Sequence, residues 1–175
     1  MNVGSFITSE KETYGIFSDG YAQSVTDEFI FEYNSLRDVL EKDSLSLMYE
    51  NALRTSKLKH SKIQFLPPLI NPTKIICVGM NYRKPYPIDG QSVRDPSNII
   101  LFGKNREAML AHLDFLESPV GDASNSFDYE GEIAVVIGKQ ARNISPANAH
   151  EYIFGFSAFN DGSVRDWQSH SCLLY

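Results

Sequence analysis

Glu130 and Glu132 stand on either side of Gly131, where the segment Asp128-Tyr129 gives way to the apolar run Ile133 to Ile137. In an extended strand, residues two apart project from the same face, roughly 7 Å apart at Cα. Carboxylates placed in this way repel each other unless something neutralises them. A hard divalent cation does so, with oxygen ligands at about 2.0–2.6 Å. Asp161 follows the run Ile153 to Phe159 and precedes Gly162, so a strand there would supply a third carboxylate. The same glutamates also suit a plainer role as the solvated side of an amphipathic strand, and spacing alone leaves both readings open.

The apolar pattern predicts the elements that must position these groups. Val3 to Thr8, the turn Ser9-Glu10-Lys11 and Thr13 to Phe17 read as a hairpin, because turn formers separate two β-prone runs. Leu36, Val39 and Leu40 recur at helical spacing behind a Ser35-x-x-Asp38 cap, and the pattern predicts a helical region continuing through Leu45 to Leu58 and ending near His60. Three prolines within Pro67 to Pro72 forbid regular helix there and mark the internal boundary, with residues 1–66 a small appendage and 67–175 a β-rich domain. Strands are expected at Lys74 to Met80, Asn98 to Phe102 and Ile133 to Ile137. Their apolar residues are consecutive, as in strands covered on both faces. Arg83 to Pro96, rich in Pro, Gly and Asp, reads as loop. Ser145 before Pro146 predicts a capped helix running to Gly155.

Composition narrows the function classes. With 175 residues, 42% of them hydrophobic, the chain can bury one sizeable core. A net charge of −6 and a pI near 5.2 argue against a phosphate-binding face, so nucleic acid is not an expected partner, and they agree with a cation-holding protein. No signal or transit peptide and no membrane-spanning run is evident. Two cysteines, Cys77 and Cys172, do not make a disulfide framework, and a reducing cytosol is the default expectation.

Three ordered segments carry a wider pattern: Lys74-Ile-Ile-Cys-Val-Gly-Met-Asn-Tyr82, then Asp128-Tyr-Glu-Gly-Glu-Ile-Ala-Val-Val-Ile-Gly-Lys139, then Asn160-Asp-Gly-Ser-Val-Arg-Asp-Trp-Gln168. Over about residues 66–170 this resembles the fumarylacetoacetate hydrolase family. The resemblance implies an α+β, β-rich fold, a mixed β-sandwich roll beside the small N-terminal α/β appendage, and a homodimer. It implies Mg²⁺, Mn²⁺ or Ca²⁺ held by Glu130, Glu132 and Asp161. It also implies a small 2-oxo acid or 1,3-dicarbonyl substrate of the kind met in aromatic catabolism, cleaved as by a hydrolase or lyase, or isomerised, hydrated or decarboxylated. The chemistry common to these reactions is a metal-stabilised enolate. Tyr82, Lys104, Arg165 and Gln168 map to substrate-facing positions. For Arg165 an ion pair with Asp166 or another acid is an equal reading, and for Lys104 so is a plain surface lysine.

The pattern also breaks. Many relatives carry a histidine three residues after the Asn-Tyr, where this chain has Pro85, which has no proton to exchange. Arg83 and Lys84 read best as solvated loop charges. His60, His112 and His150 read as surface or packing residues, which leaves His170 as the weak candidate for the missing base. Relatives continue past Trp-Gln into a Gly-Lys segment and further strands. Ser171 to Tyr175 do not follow that continuation, so the expected roll is incomplete at its C-terminus. A non-catalytic relative that binds metal and a small acid, or only dimerises, is the second expectation.

Overall fold

A computed structural model describes residues 1–9, 11–79 and 97–168. They divide into two compact units, one of residues 1–72, 109–116 and 131–161 and the other of 73–108, 117–130 and from 162 onward. No helix among the described residues is long and apolar enough to cross a membrane.

The first unit is built on strands β1 (Asn2–Ile7), β2 (Glu12–Ser18) and β3 (Tyr21–Ser24). The expected hairpin is present, with Phe6 opposite Thr13 and Val3 opposite Ile16. The chain then turns again at Asp19 and Gly20, whose φ angles of 49° and 82° are the left-handed pair that a two-residue hairpin turn requires. Helices α1 (Asp27–Glu32), α2 (Leu36–Glu41) and α3 (Leu45–Ala52) follow, and then β4 (Leu58–Lys59) and β5 (Gln64–Phe65) complete a sheet ordered β4-β3-β2-β1-β5.

Alternation along β2 sorts the packing. Tyr14 and Ile16 face the helices and join Val25, Tyr33, Leu36, Val39, Met48 and Ala52 in the core. On the other face Phe6, Phe17 and Phe65 form an aromatic cluster, with His60 set edge-on to Phe17 and Phe65 and His112 edge-on to Phe65. His60 and His112 are thus packing residues, and His150 is exposed.

The helical region is shorter and more broken than its periodicity predicts. Ser35 caps α2 as expected, its hydroxyl accepting from the Asp38 N–H at 3.3 Å. Asp43 then takes a left-handed φ of 53° and separates α2 from α3. Helix α3 stops at Ala52 because side chains capture its terminal carbonyls. The Gln23 amide donates to Ala52 and Thr55 at 3.2 and 2.9 Å, and the Thr55 hydroxyl donates to Ala52 at 2.9 Å. The segment expected as helix up to His60 is therefore β4 and a 3₁₀ turn over His60–Lys62. Helix α1, which the apolar periodicity does not announce, is started by Thr26, which accepts from the Phe29 N–H at 3.3 Å.

The first unit also contains the antiparallel pair β9 (Gly131–Ile137) and β10 (Ile153–Asn160). Their connection contains 3₁₀ helix over Pro146–Tyr152 instead of the expected α-helix. Ser145 makes no side-chain cap, and Gly155 lies inside β10. Ile153 pairs with Ile137 and Gly155 with Val136, so Phe154 is an extra residue at a bulge. Gly138 lies against it, and a β-carbon at that position would stand 2.7 Å from the Phe154 Cβ.

The second unit holds the pair β6 (Ile75–Gly79) and β7 (Ile100–Lys104), the short pair β8 (Phe127–Asp128) and β11 (Ser163–Val164), and helix α4 (Arg165–Gln168). Strand β7 starts two residues later than expected. The consecutive apolar residues of β6, β7 and β9 are not covered on both faces. Ile76, Leu101, Ile133 and Ile137 are each at least 60% exposed, while Cys77 is buried.

Two outcomes follow for this fold. The Tyr14 hydroxyl donates to the Tyr33 carbonyl at 2.5 Å, and Ser44 donates to the Tyr33 hydroxyl at 3.1 Å. Tyr14→Phe removes a buried donor and is expected to cost about 1–3 kcal/mol in urea unfolding. Burial, with the nearby Asp38 and Tyr33 adding to it, keeps this hydroxyl protonated well above the ordinary tyrosine range. Its contribution is thus complete below about pH 10 and falls above it, when the unfolded chain releases the proton, by about 1.4 kcal/mol per pH unit. Urea midpoints measured from pH 8 to 11 should show a shallower alkaline decline in the variant. Gly138→Ala forces its methyl onto Phe154 and is expected to destabilise by about 1–3 kcal/mol in the same assay. Unchanged stability would mean that the bulge yields freely.

Candidate functional site

The β9–β10 ladder brings two of the three expected ligands together. Phe159 pairs with Glu132 and Asn160 with Gly131, so Asp161, two residues past Phe159, emerges on the same side of the hairpin as Glu132. Their carboxylate oxygens lie within 4.8 Å of one another. Asp161 is only 4% exposed, whereas Glu132 is solvent-accessible. The two-residue period of the strand sets this arrangement. Ile133, Val135 and Ile137 occupy one face of β9, so Glu132 must share the other with Ala134 and Val136.

A buried carboxylate beside a second one is costly without positive charge. Both donors are hard anionic oxygens, which suits a Mg²⁺-, Mn²⁺- or Ca²⁺-like ion better than a soft metal. The residues present therefore fit the implied cation.

Glu130 lies one residue before β9, in the second unit, and is engaged by Arg165. The Arg165 guanidinium donates through Nε and Nη2 to Asp128 Oδ2, both at 2.9 Å, and its Nη1 lies 3.0 Å from Glu130 Oε1 and 3.2 Å from Gln168 Oε1. The ion pair expected of Arg165 thus runs to Asp128 and Glu130. Hydrogen bonding from Arg165, reinforced by its charge, holds the Asp128 carboxyl below the usual carboxylate range. Pairing of Ser163 with Asp128, and a 3.2 Å bond from the Asp166 N–H to the Ser126 hydroxyl, fix α4 against the segment before Glu130. Asp128 had no role in the sequence reading, although it stands in the same motif as the glutamates. Only the pairing of β8 with β11 shows which cation it meets.

Lys104 ends β7, opposite Ile75 and half-buried. Tyr82, Arg83, Lys84, Pro85 and His170 lie outside the described residues.

Comparison with known proteins identifies the family. The family model described as Fumarylacetoacetate (FAA) hydrolase C-terminal matches residues 74–173. The mitochondrial oxaloacetate tautomerase fahd2 of Xenopus laevis is 37% identical over 133 residues, covering 69% of this chain and 40% of its own length. The oxaloacetate tautomerase YisK of Bacillus subtilis is 36% identical over 109 residues, covering 62% of this chain and 36% of its own. Among solved structures, the fumarylacetoacetate hydrolase of Exiguobacterium antarcticum superposes with a TM-score of 0.75 at 27% identity, over 100% of this chain and 60% of that one. The chain thus spans less than two thirds of the length of each of these relatives, and it shares the mixed, β-rich fold of the solved hydrolase. It belongs to the fumarylacetoacetate hydrolase family.

Proposed function

We propose that this chain carries the cation-binding part of an enzyme that works on a small 2-oxo acid through its enolate, with enol–keto interconversion of oxaloacetate as the leading reaction. The observation that carries the reading is the approach of Glu132 to the buried Asp161, a pair that calls for a hard cation. The names of the Xenopus and Bacillus relatives support tautomerisation ahead of hydrolysis. Glu132 and Asp161 are the assigned ligands, and Glu130 is added from the family motif. When bound, the cation supplies Lewis acidity toward negative charge developing on a carbonyl oxygen.

The chain's own residues supply orientation. Arg165 is a fixed positive charge beside Gln168. Because the Gln168 carbonyl accepts from Arg165, its amide N–H groups turn away from the guanidinium and can donate to a substrate oxygen. Lys104 and Tyr82 are proposed as further substrate contacts. His60 and His112, set edge-on in the aromatic cluster, are not assigned the proton transfer. A cytosolic homodimer is the proposed working state. Hydrolysis, decarboxylation and isomerisation of other oxo acids start from the same enolate.

Calorimetric titration with Mn²⁺, with and without oxalate as an enolate mimic, tests the site. Oxalate is expected to tighten cation binding. Asp161→Asn and Glu132→Gln are each expected to weaken it by about 100-fold or more, a loss at least as large as that from disturbing an outer-shell partner. Cation affinity preserved in both variants would sink the assignment. Decay of enol-oxaloacetate absorbance tests the reaction. Each variant should lose about 10²–10³-fold or more in rate, and the double variant little beyond that, because ligands act as a unit.

A further inference from the structure

One carboxylate near the motif has no part in the reading above. Asp128 is half exposed and follows the 3₁₀ segment Gly121–Ser126, yet both of its oxygens are engaged. Oδ1 accepts the backbone N–H of Tyr129 at 2.8 Å, and Oδ2 accepts Nε and Nη2 of Arg165. The first bond fixes the carboxylate to the main chain, and the second fixes the guanidinium to the carboxylate. A guanidinium is planar and rigid, so holding its Nε–Nη2 edge determines where Nη1 points. Here it points to Glu130 and Gln168.

We propose that Asp128 is a positioning residue, which sets the orientation of Arg165 so that one of its amino groups is presented to Glu130 and Gln168. The inference rests on the function proposed above in so far as Glu130 and Gln168 belong to the working site. Exposed ion pairs contribute little to stability, and this one is 42% and 54% exposed on its two sides. Its contribution is geometric. An arginine free to rotate would share its Nη1 between Glu130, Gln168 and water, and small misplacements at a reacting centre can cost up to about 100-fold in rate.

Asp128→Asn is the informative change. An asparagine has one acceptor oxygen and cannot serve both the Tyr129 N–H and Arg165, so the clamp loses one of its two ends with almost no change in shape. Two measurements decide. The first is the ¹H–¹⁵N resonance of Arg165 Nε, assigned by its loss in Arg165→Lys. It should exchange slowly with solvent in the wild type and about tenfold or more faster in Asp128→Asn. The second is enol-oxaloacetate turnover with Mn²⁺. Here kcat should fall about tenfold or more while KM stays within about twofold. Asp128→Asn/Arg165→Lys should be no slower than Arg165→Lys alone, because Asp128 acts only through Arg165. The melting temperature should stay within about 3 °C of wild type.

Wild-type exchange in Asp128→Asn overturns the proposal, as does a kcat loss that multiplies with that of Arg165→Lys or tracks a large drop in melting temperature. If the wild type is inert toward oxaloacetate, the reading of the reaction fails on its own. The exchange rate then decides the clamp, with faster exchange in Asp128→Asn upholding it and unchanged exchange overturning it.

Discussion

Bringing a carboxylate to within 4.8 Å of the buried Asp161 raises the free energy of the folded chain unless a positive charge joins them. The constraint is local, but most of the hairpin serves it. The two backbones cannot drift apart to relieve the repulsion, because β9 and β10 are paired from Ile137 and Ile153 to Gly131 and Asn160. Rigid pairing thus keeps the two residues on one side of the hairpin. The ladder therefore acts indirectly on the chemistry, because its register sets which face Glu132 occupies and which residue of β10 stands opposite it.

Arg165 shows a different use of charge. With Asp128 and Glu130 as its anionic neighbours, it sits in a solvated network that salt and water screen, so its contribution to stability is small. Such a network is informative as geometry. Bonds to three acceptors on one planar group leave few rotamers open, and the Tyr129 N–H extends that restriction to the backbone.

Much of this was legible in the chain. The hairpin of β1 and β2, the Ser35 cap and the strand leading to Asp161 follow from alternation and capping chemistry, which act over a few residues. The ordered Glu130-Gly-Glu132 and Asp161 motifs disclosed the family. What was not legible depended on distant partners. Helix α3 ends at Ala52 because Gln23, far back in the chain, reaches its carbonyls, and no local signal around Leu53 announces that. The segment after Ser145 carries a good cap-and-proline signature, yet it forms 3₁₀ turns because Ile153 must already be extended to pair with Ile137. Continuous apolar runs in β6 and β9 suggested cover on both sides, but hydropathy cannot tell a covered face from an open one. The partnership of Asp128 with Arg165 spans 37 positions and needed the strand pairing to be seen.

The extra residue at Phe154 bears on how such a site tolerates insertions and deletions. Between Gly138 and Tyr152 the connection can lengthen or shorten without moving the register, since the bond from the Gly138 N–H to the Tyr152 carbonyl closes the ladder. Past the bulge every position counts by twos. Deleting one residue between Gly155 and Asn160 would turn Asp161 to the opposite face and pair Glu132 with a different neighbour, although every acidic residue would still be present in the gene. Conservation of the acids is thus insufficient evidence that a lineage retains the centre. The parity of the spacing between Gly155 and Asp161 is the quantity to compare.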